Sequence, residues 1–376
     1  MFETLSHLAL QQYWWVIISL LGSLLVFLLF VQGGQTLIYT LGKTEMERRM
    51  IVNSLGRKWE FTFTTLVTFG GALFASFPLF YSTSFGGAYW VWMIILFAFI
   101  IQAVSYEYRS KPNNFLGSKT YEVFLFINGA VATIFLGTAV ATFFTGSEFS
   151  LNEMNFSKWE GPANGLELAL NFHNLSLGLA VFFLARVLGI LYFMNNIDHS
   201  EILLRSKKHL IYNAIPFLIF FLIFIIWLLF IDGFAYNPSS KQVTMEAHKY
   251  LHNLIEMPVV LILFLIGVLL VMAGIGKSII KTCTNGIWYA GAGTVLTVFS
   301  LFLIAGFNNT AFYPSTFNLQ NSLTIVNASS SKYTLTVMSY VSLFVPVVAA
   351  YIWIAWRSVN NKKIDEKEMS EDIHVY

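Results

Sequence analysis

Cysteine and charge are what this chain has least of. The single Cys283 excludes an internal disulfide and fits no zinc or iron–sulfur spacing. Charged residues make up only 11% of the 376 residues, where a soluble domain carries roughly 25%. No Walker A loop, GxGxxG after a strand, GxSxG or CxxCH occurs, so nucleotide-fold, serine-hydrolase and c-type haem signatures are missing. A net charge of +2 is uninformative by itself, and no nucleic-acid partner is expected. What is abundant is apolar surface, 56% of residues. That much cannot be hidden in one water-soluble core, and lipid is the remaining solvent.

A helix needs roughly 20 apolar residues to cross a bilayer. Nine runs qualify: 13–41, 61–85, 88–106, 121–145, 166–194, 210–234, 251–275, 286–307 and 334–356. The fold class is therefore an all-α integral membrane protein of about nine transmembrane helices. The first run lacks a basic n-region and is long enough to span, so it reads as a retained helix. Loops that should share one side hold Lys43, Arg48, Arg49, Arg57, Lys58, Arg109, Lys111, Lys119, Arg205, Lys207, Lys208, Lys277 and Lys281, and the tail adds Arg357, Lys362, Lys363 and Lys367. The other side holds Lys158, Lys241, Lys249 and Lys332. The positive-inside rule then places the N-terminus outside and the C-terminus in the cytoplasm. Thr44-x-x-Glu47 is a capping-box pattern that predicts a helix in the first basic loop. The charged tail reads as mobile.

Polar groups inside spans carry an insertion cost of ~2.5–3.5 kcal/mol when ionised, so each needs a reason. Glu60, Thr64 and Thr68 fall at i, i+4 and i+8 and could hold a water chain that passes protons. Equally, Glu60 could favour the positive end of a helix dipole. Gln32-Gly33-Gly34-Gln35 suits close helix packing, or a quinone or water contact. Glu167, Asn171, Asn174 and Gly178 predict a polar stripe in the fifth span, with Arg186 placed to snorkel or pair. His173 is a haem-ligand candidate or a hydrogen-bonded structural histidine. His248, His252 and Glu256, again at i, i+4 and i+8, form a metal-ligand pattern or a wet interfacial face.

Several ordered motifs together resemble subunit II of the cytochrome bd quinol oxidases. Leu41-Gly42-Lys43-Thr44-Glu45-x-Glu47-Arg48-Arg49 and Asn53-Ser54-x-Gly56-x-x-Trp59-Glu60 are similar to that family's first cytoplasmic loop. Gly70-Gly71-Ala72-Leu73-Phe74-Ala75-Ser76-Phe77-Pro78 is similar to its second helix, and Ser105-Tyr106-Glu107-Tyr108-Arg109-Ser110-Lys111 to the exit of its third. Tyr313-Pro314, Asn321-Ser322-Leu323-Thr324-Ile325, Asn327-Ala328-Ser329-Ser330 and Thr334-Leu335-x-Val337-Met338 resemble its last outer loop and ninth helix.

The resemblance implies two four-helix bundles (1–145 and 166–307), a peripheral ninth helix (334–356) and a cytoplasmic tail (357–376) in a bacterial inner membrane. It implies a partner, subunit I, that carries haem b, haem d and the quinol site, with room for a small single-helix accessory subunit. The complex would oxidise quinol and reduce dioxygen to water with protons from the cytoplasm. This chain would stabilise subunit I and contribute to the proton path, with no haem or metal of its own. Glu60 follows Trp59 where the family has Trp-Asp, which points to Glu60, Thr64 and Thr68 as the path, with Trp59, Gln32 and Gln35 as structural, quinone or water contacts. Two departures stand out: Gln32 and Gln35 replace the acids of an Asp-Gly-x-Asp pattern, and Phe61 follows the Trp-acid pair in place of Gly-Asn. A polytopic secondary transporter is the rival reading, and it predicts a polar mid-membrane site. A non-catalytic scaffold is a third.

Overall fold

The computed structural model describes residues 2–281 and 283–371. The first span starts with Ser6, whose side chain accepts from Ala9 N, and runs as α1 (His7–Leu28) and α2 (Phe30–Gln35), followed by the single turn α3 (Ile38–Leu41). The Gln-Gly-Gly-Gln stretch sits where α2 crosses the fifth span. A Cβ at Gly33 would run into the backbone of Ala185 and Arg186, so glycine is what permits this approach.

The basic loop folds as α4 (Glu45–Gly56), closed by the predicted capping box: Thr44 Oγ1 accepts from Glu47 N, and Glu47 Oε2 accepts from Thr44 N. α5 (Trp59–Ser76) is shorter than its apolar run because Pro78 interrupts the helix after Phe77; α6 (Pro78–Tyr81) and a π-turn (Ser82–Gly87) lead into α7 (Tyr89–Tyr108). Then come α8 (Ser118–Thr145), the hairpin β1 (Phe149–Leu151) and β2 (Ser157–Trp159), α9 (Phe172–Asn196) and α10 (Ser200–Phe230). A second hairpin, β3 (Gly233–Asn237) and β4 (Gln242–Glu246), precedes α11 (Lys249–Glu256). α12 (Pro258–Lys281), α13 (Gly286–Gly306), α14 (Lys332–Ser342), α15 (Val345–Val359) and α16 (Glu366–Glu371) complete the chain.

Eight helices among the described residues are long and apolar enough to cross a membrane. The second of the nine expected spans, α5, is outside that set: cut to 18 residues by Pro78, it has no window of spanning length that leaves out Glu60. The fifth is the central post: 78% of its apolar window is buried, against 11% for the final span, Lys332–Val359, which lies at the periphery. α9 packs on α2, α8 and α10, while α1 packs on α13, α5 and α14.

The predicted stripe in the fifth span does not form. Glu167 lies before the helix, in a short 3-10 turn, and Asn171 caps α9 by accepting from His173 N and Asn174 N. An asparagine with a side-chain oxygen free for the first-turn N–H groups starts a helix there rather than continuing one.

Contacts sort the loops onto two sides. Arg205 binds Glu47, Arg109 and Arg48 bind Glu122, and Asn195 reaches Thr284, which gathers the basic loops. On the opposite side, Gln11 bonds Val326 and Ser329, and Ser147 pairs with Ser315. The tail, expected to be mobile, is docked on the basic side. Ile364 pairs with Ile197, Arg57 binds Glu368, and Met369 is buried beside Asn53. Buried apolar Ile364 and Met369 supply the driving force that the tail's charge content conceals.

Glu47 ties the basic side together. Burial alone would raise its carboxyl, but Arg205 and the Thr44 and Lys43 backbone N–H groups outweigh that and hold it at about 2, below the ordinary 4.5. A folded value below the unfolded one gives stabilisation that is complete above the unfolded value and is lost as pH falls toward the folded one. Glu47→Gln should therefore lower the thermal midpoint at neutral pH, by an amount on the order of 3 kcal/mol of local stability. The gap between variant and parent should close on acidification below pH ~4. Thermal unfolding against pH measures this, and a gap that stays constant through that range contradicts it.

Candidate functional site

The third span carries Gln102, Tyr106 and Arg109 at i, i+4 and i+7, one face of α7, and that face meets α2 and α8. Gln32 Nε2 donates to Gln102 Oε1 at 3.3 Å, and Gln35 Nε2 donates to the Tyr106 hydroxyl at 3.1 Å. Trp59 stacks on Tyr106, with ring centroids 5.7 Å apart and planes 15° from parallel. Asn128 of α8 is fully buried. Its neighbour Gly129 lies against the Gln32 carbonyl, closer than any Cβ would allow.

Toward the basic side the row ends in an ion pair. Arg109 donates from Nε and Nη2 to Glu122 Oε1, at 3.2 and 2.6 Å, and Arg48 Nε lies 3.5 Å from Glu122 Oε2. Along α7, Gln102 to Arg109 spans about 10 Å of depth at the helical rise per residue. The result is a polar row that runs from the basic surface into the membrane interior.

This row is under-bonded. Gln32 Oε1, Gln35 Oε1, Gln102 Nε2, Trp59 Nε1 and both side-chain polar atoms of Asn128 are buried without a partner among the described residues. In dry hydrocarbon each would cost several kcal/mol. So many in one cluster is the pattern expected where water completes the bonding.

Of the residues the sequence singles out, Gln32, Gln35 and Trp59 come together here. Glu60, Thr64 and Thr68 do not join them. They share the exposed face of α5, turned away from the rest of the chain, and Thr68 Oγ1 donates to the Thr64 carbonyl. Gln102, Tyr106, Glu122 and Asn128 escape the sequence reading. The available signal was two amides, a phenol and a carboxyl inside two largely apolar runs.

The remaining candidates are dispersed. His173 is buried, with Nε2 at 3.3 Å from the Phe224 carbonyl and its ring 3.8 Å from that of Trp227. His252 Nδ1 lies 3.0 Å from Glu246 Oε1, Glu256 accepts from Asn308, and His248 sits before α11 in a left-handed conformation. No group of three or more His, Cys, Asp or Glu among the described residues could hold a metal ion. A cavity of about 80 Å³ between α1, α5, α8 and α13 is lined almost wholly by apolar side chains, including Phe69, Leu73, Phe143 and Phe302. It offers no polar substrate site of the kind a transporter needs.

Comparison with known proteins places these features. The family model for cytochrome bd terminal oxidase subunit II matches residues 10–359. The chain is 27% identical to the cytochrome bd-I ubiquinol oxidase subunit 2 of Escherichia coli K12, covering 98% of this chain and 99% of that one. It is 28% identical to a probable cytochrome oxidase subunit 2 of Haemophilus influenzae, covering 90% and 92%. The solved bd oxidase of Geobacillus thermodenitrificans shares the fold, with a TM-score of 0.56 at 13% identity, covering 93% of this chain and 97% of that one.

The amide pairing predicts an asymmetry. Gln102→Leu strands the Gln32 amide and should cost about 1–3 kcal/mol. The double variant Gln32→Leu/Gln102→Leu leaves no stranded partner and should recover part of that loss. Thermal unfolding of the parent, the Gln32→Leu and Gln102→Leu single variants and the double variant measures the coupling; strictly additive losses contradict it.

Proposed function

The chain belongs to the cytochrome bd terminal oxidase subunit II family, and from that premise we propose that it pairs with a haem-bearing subunit I, supports it, and supplies that partner with protons from the cytoplasm. Haem b and haem d bound in the partner supply the electron transfer from quinol and the reduction of dioxygen. The residues of this chain handle protons and hold the partner.

The observation that carries the reading is the exposed polar face of α5. Glu60, Thr64 and Thr68 have no cover within the chain, although α5 lies among membrane helices. A carboxylate and hydroxyls facing lipid would be costly. A partner subunit against this face removes that cost and encloses a groove in which water can sit. Protons enter from the basic side, taken as cytoplasmic by the positive-inside rule. They pass to the Glu60 carboxyl, which can hold and release one. Thr64 and Thr68 orient the waters that follow. The internal amide row, with Glu122 at its mouth, is a second hydrated branch. Because Gln32 and Gln35 cannot ionise, they orient water and do not store protons. Trp59 stacks over Tyr106 between the two branches.

Uptake from one side makes turnover electrogenic without a pump, since each charge moved stores ~2.3 kcal/mol per 100 mV.

The test is purification of this chain from its native membranes, with and without Glu60→Gln. Both preparations should bring a second membrane subunit and show b- and d-type haem bands in the reduced-minus-oxidised spectrum. The variant should lose at least about tenfold in quinol-driven oxygen and proton uptake. A colourless, partnerless preparation overturns the assignment. Full activity in the variant, with the spectrum intact, overturns the path.

A further inference from the structure

Arg186 is a guanidinium inside the most enclosed span with no acid to meet it. It lies ten residues before the end of α9 at Asn196, about 15 Å of helix. Nε donates to Asn213 Oδ1 at 2.6 Å, and Nη1 donates to Thr36 Oγ1 at 2.9 Å and more weakly to the Thr36 carbonyl at 3.4 Å. Its flat face lies 5.4 Å from the centre of the Phe182 ring. Among the described residues no carboxylate pairs with it, no hydrogen bond leaves Nη2, and the residue is half-buried. The neutral amide and hydroxyl fix the direction of the guanidinium without neutralising it.

One to two turns nearer the basic side, the same surface carries more positive charge. His209 of α10 sits between Arg186 and the loops, and the charged groups acting on it are Lys43, Arg186 and Lys208, all positive. Lys43 and Lys208 are exposed. The nearby acid, Glu47, is already bound by Arg205. Exposed Tyr39, Ile211 and Tyr212 flank the patch with aromatic and apolar surface, the composition of a membrane interface. Arg186 thus lies deeper than these two exposed lysines, bonded to α10 through Asn213 and to the turn after α2 through Thr36.

We infer that this surface is a binding site for one phospholipid with an anionic headgroup, its phosphate held by Arg186 together with Lys43 and Lys208, and its acyl chains lying along α9 and α10. The phosphate supplies the counter-charge that the chain withholds. Tyr39 and Tyr212 are placed at the glycerol level, where amphipathic rings settle. Such basic pockets between helices on the positively charged side are suited to acidic lipid headgroups. The phosphate contacts use none of Glu60, Gln32, Gln35, Gln102 or Asn128, so the inference stands independently of the proton path.

Dioleoylphosphatidylglycerol is the probe, titrated into the delipidated protein with its co-purifying subunits and read by native mass spectrometry. The parent should hold one phosphatidylglycerol more tightly than dioleoylphosphatidylcholine. Lys43→Gln/Lys208→Gln, in which both changes are at exposed positions, should weaken that molecule about fivefold per charge removed. Arg186→Gln should weaken it at least as much. Inorganic phosphate at millimolar concentration should not displace it. Binding within twofold of the parent in the double lysine variant overturns the site, as does equal retention of phosphatidylcholine. Displacement by inorganic phosphate overturns the lipid as its ligand.

Discussion

In lipid a polar group has no water to fall back on, and that constraint organises this molecule. Most buried polar side chains obey it by bonding nearby backbone. Ser19, Thr133, Thr294, Thr297 and Ser300 each donate to a carbonyl within their own helix. Longer polar side chains must find partners distant in sequence, as Gln32 does with Gln102 and Asn253 with Thr310. Charges are placed at the ends, where Arg109 and Glu122, or Arg205 and Glu47, neutralise each other. Against that background, three of the places where the rule is broken carry information. The amide row breaks it by leaving acceptors and donors unmet. The α5 face breaks it by exposing a carboxylate. Arg186 breaks it by lacking an anion.

Each exception has a different remedy, and the remedies describe how such a chain works in a complex. On the proposed reading, water completes the amide row, a partner subunit covers α5, and a lipid phosphate meets Arg186. None of these is a feature of a self-sufficient enzyme. They suit a subunit whose partner holds the redox centres, and whose own apolar interior, around Phe69, Phe143 and Phe302, is closed by packed aromatic rings.

Much of the fold is legible in the sequence because the hydrophobic runs are long and the basic loops recur on alternate sides. The Thr44–Glu47 capping box is legible for the same reason that it forms, since both its partners are local. Boundaries are less so where one residue decides them: Pro78 ends α5 early, Pro258 separates α11 from α12, and Asn171 starts α9 after the expected stripe has begun. The site is half legible. Gln32, Gln35 and Trp59 are visible as anomalies in apolar surroundings, and the family resemblance draws attention to Glu60. Gln102, Tyr106 and Asn128 are not, because a lone amide or phenol in an apolar run looks like interfacial packing until its partner, some 70 residues away, is known. The docked tail is hidden for a related reason. Its charges advertise solvation, while the two side chains that anchor it, Ile364 and Met369, are too few to form a pattern.

The amide row is the internal branch of the proposed proton supply, and its hydration can be seen directly. An electron cryomicroscopy map of the purified complex, at a resolution that shows ordered water, should contain water density within hydrogen-bond distance of the Asn128 amide and of Gln32 Oε1, continuing to Glu122. A dry row, with these amides rearranged to satisfy one another, would contradict the account.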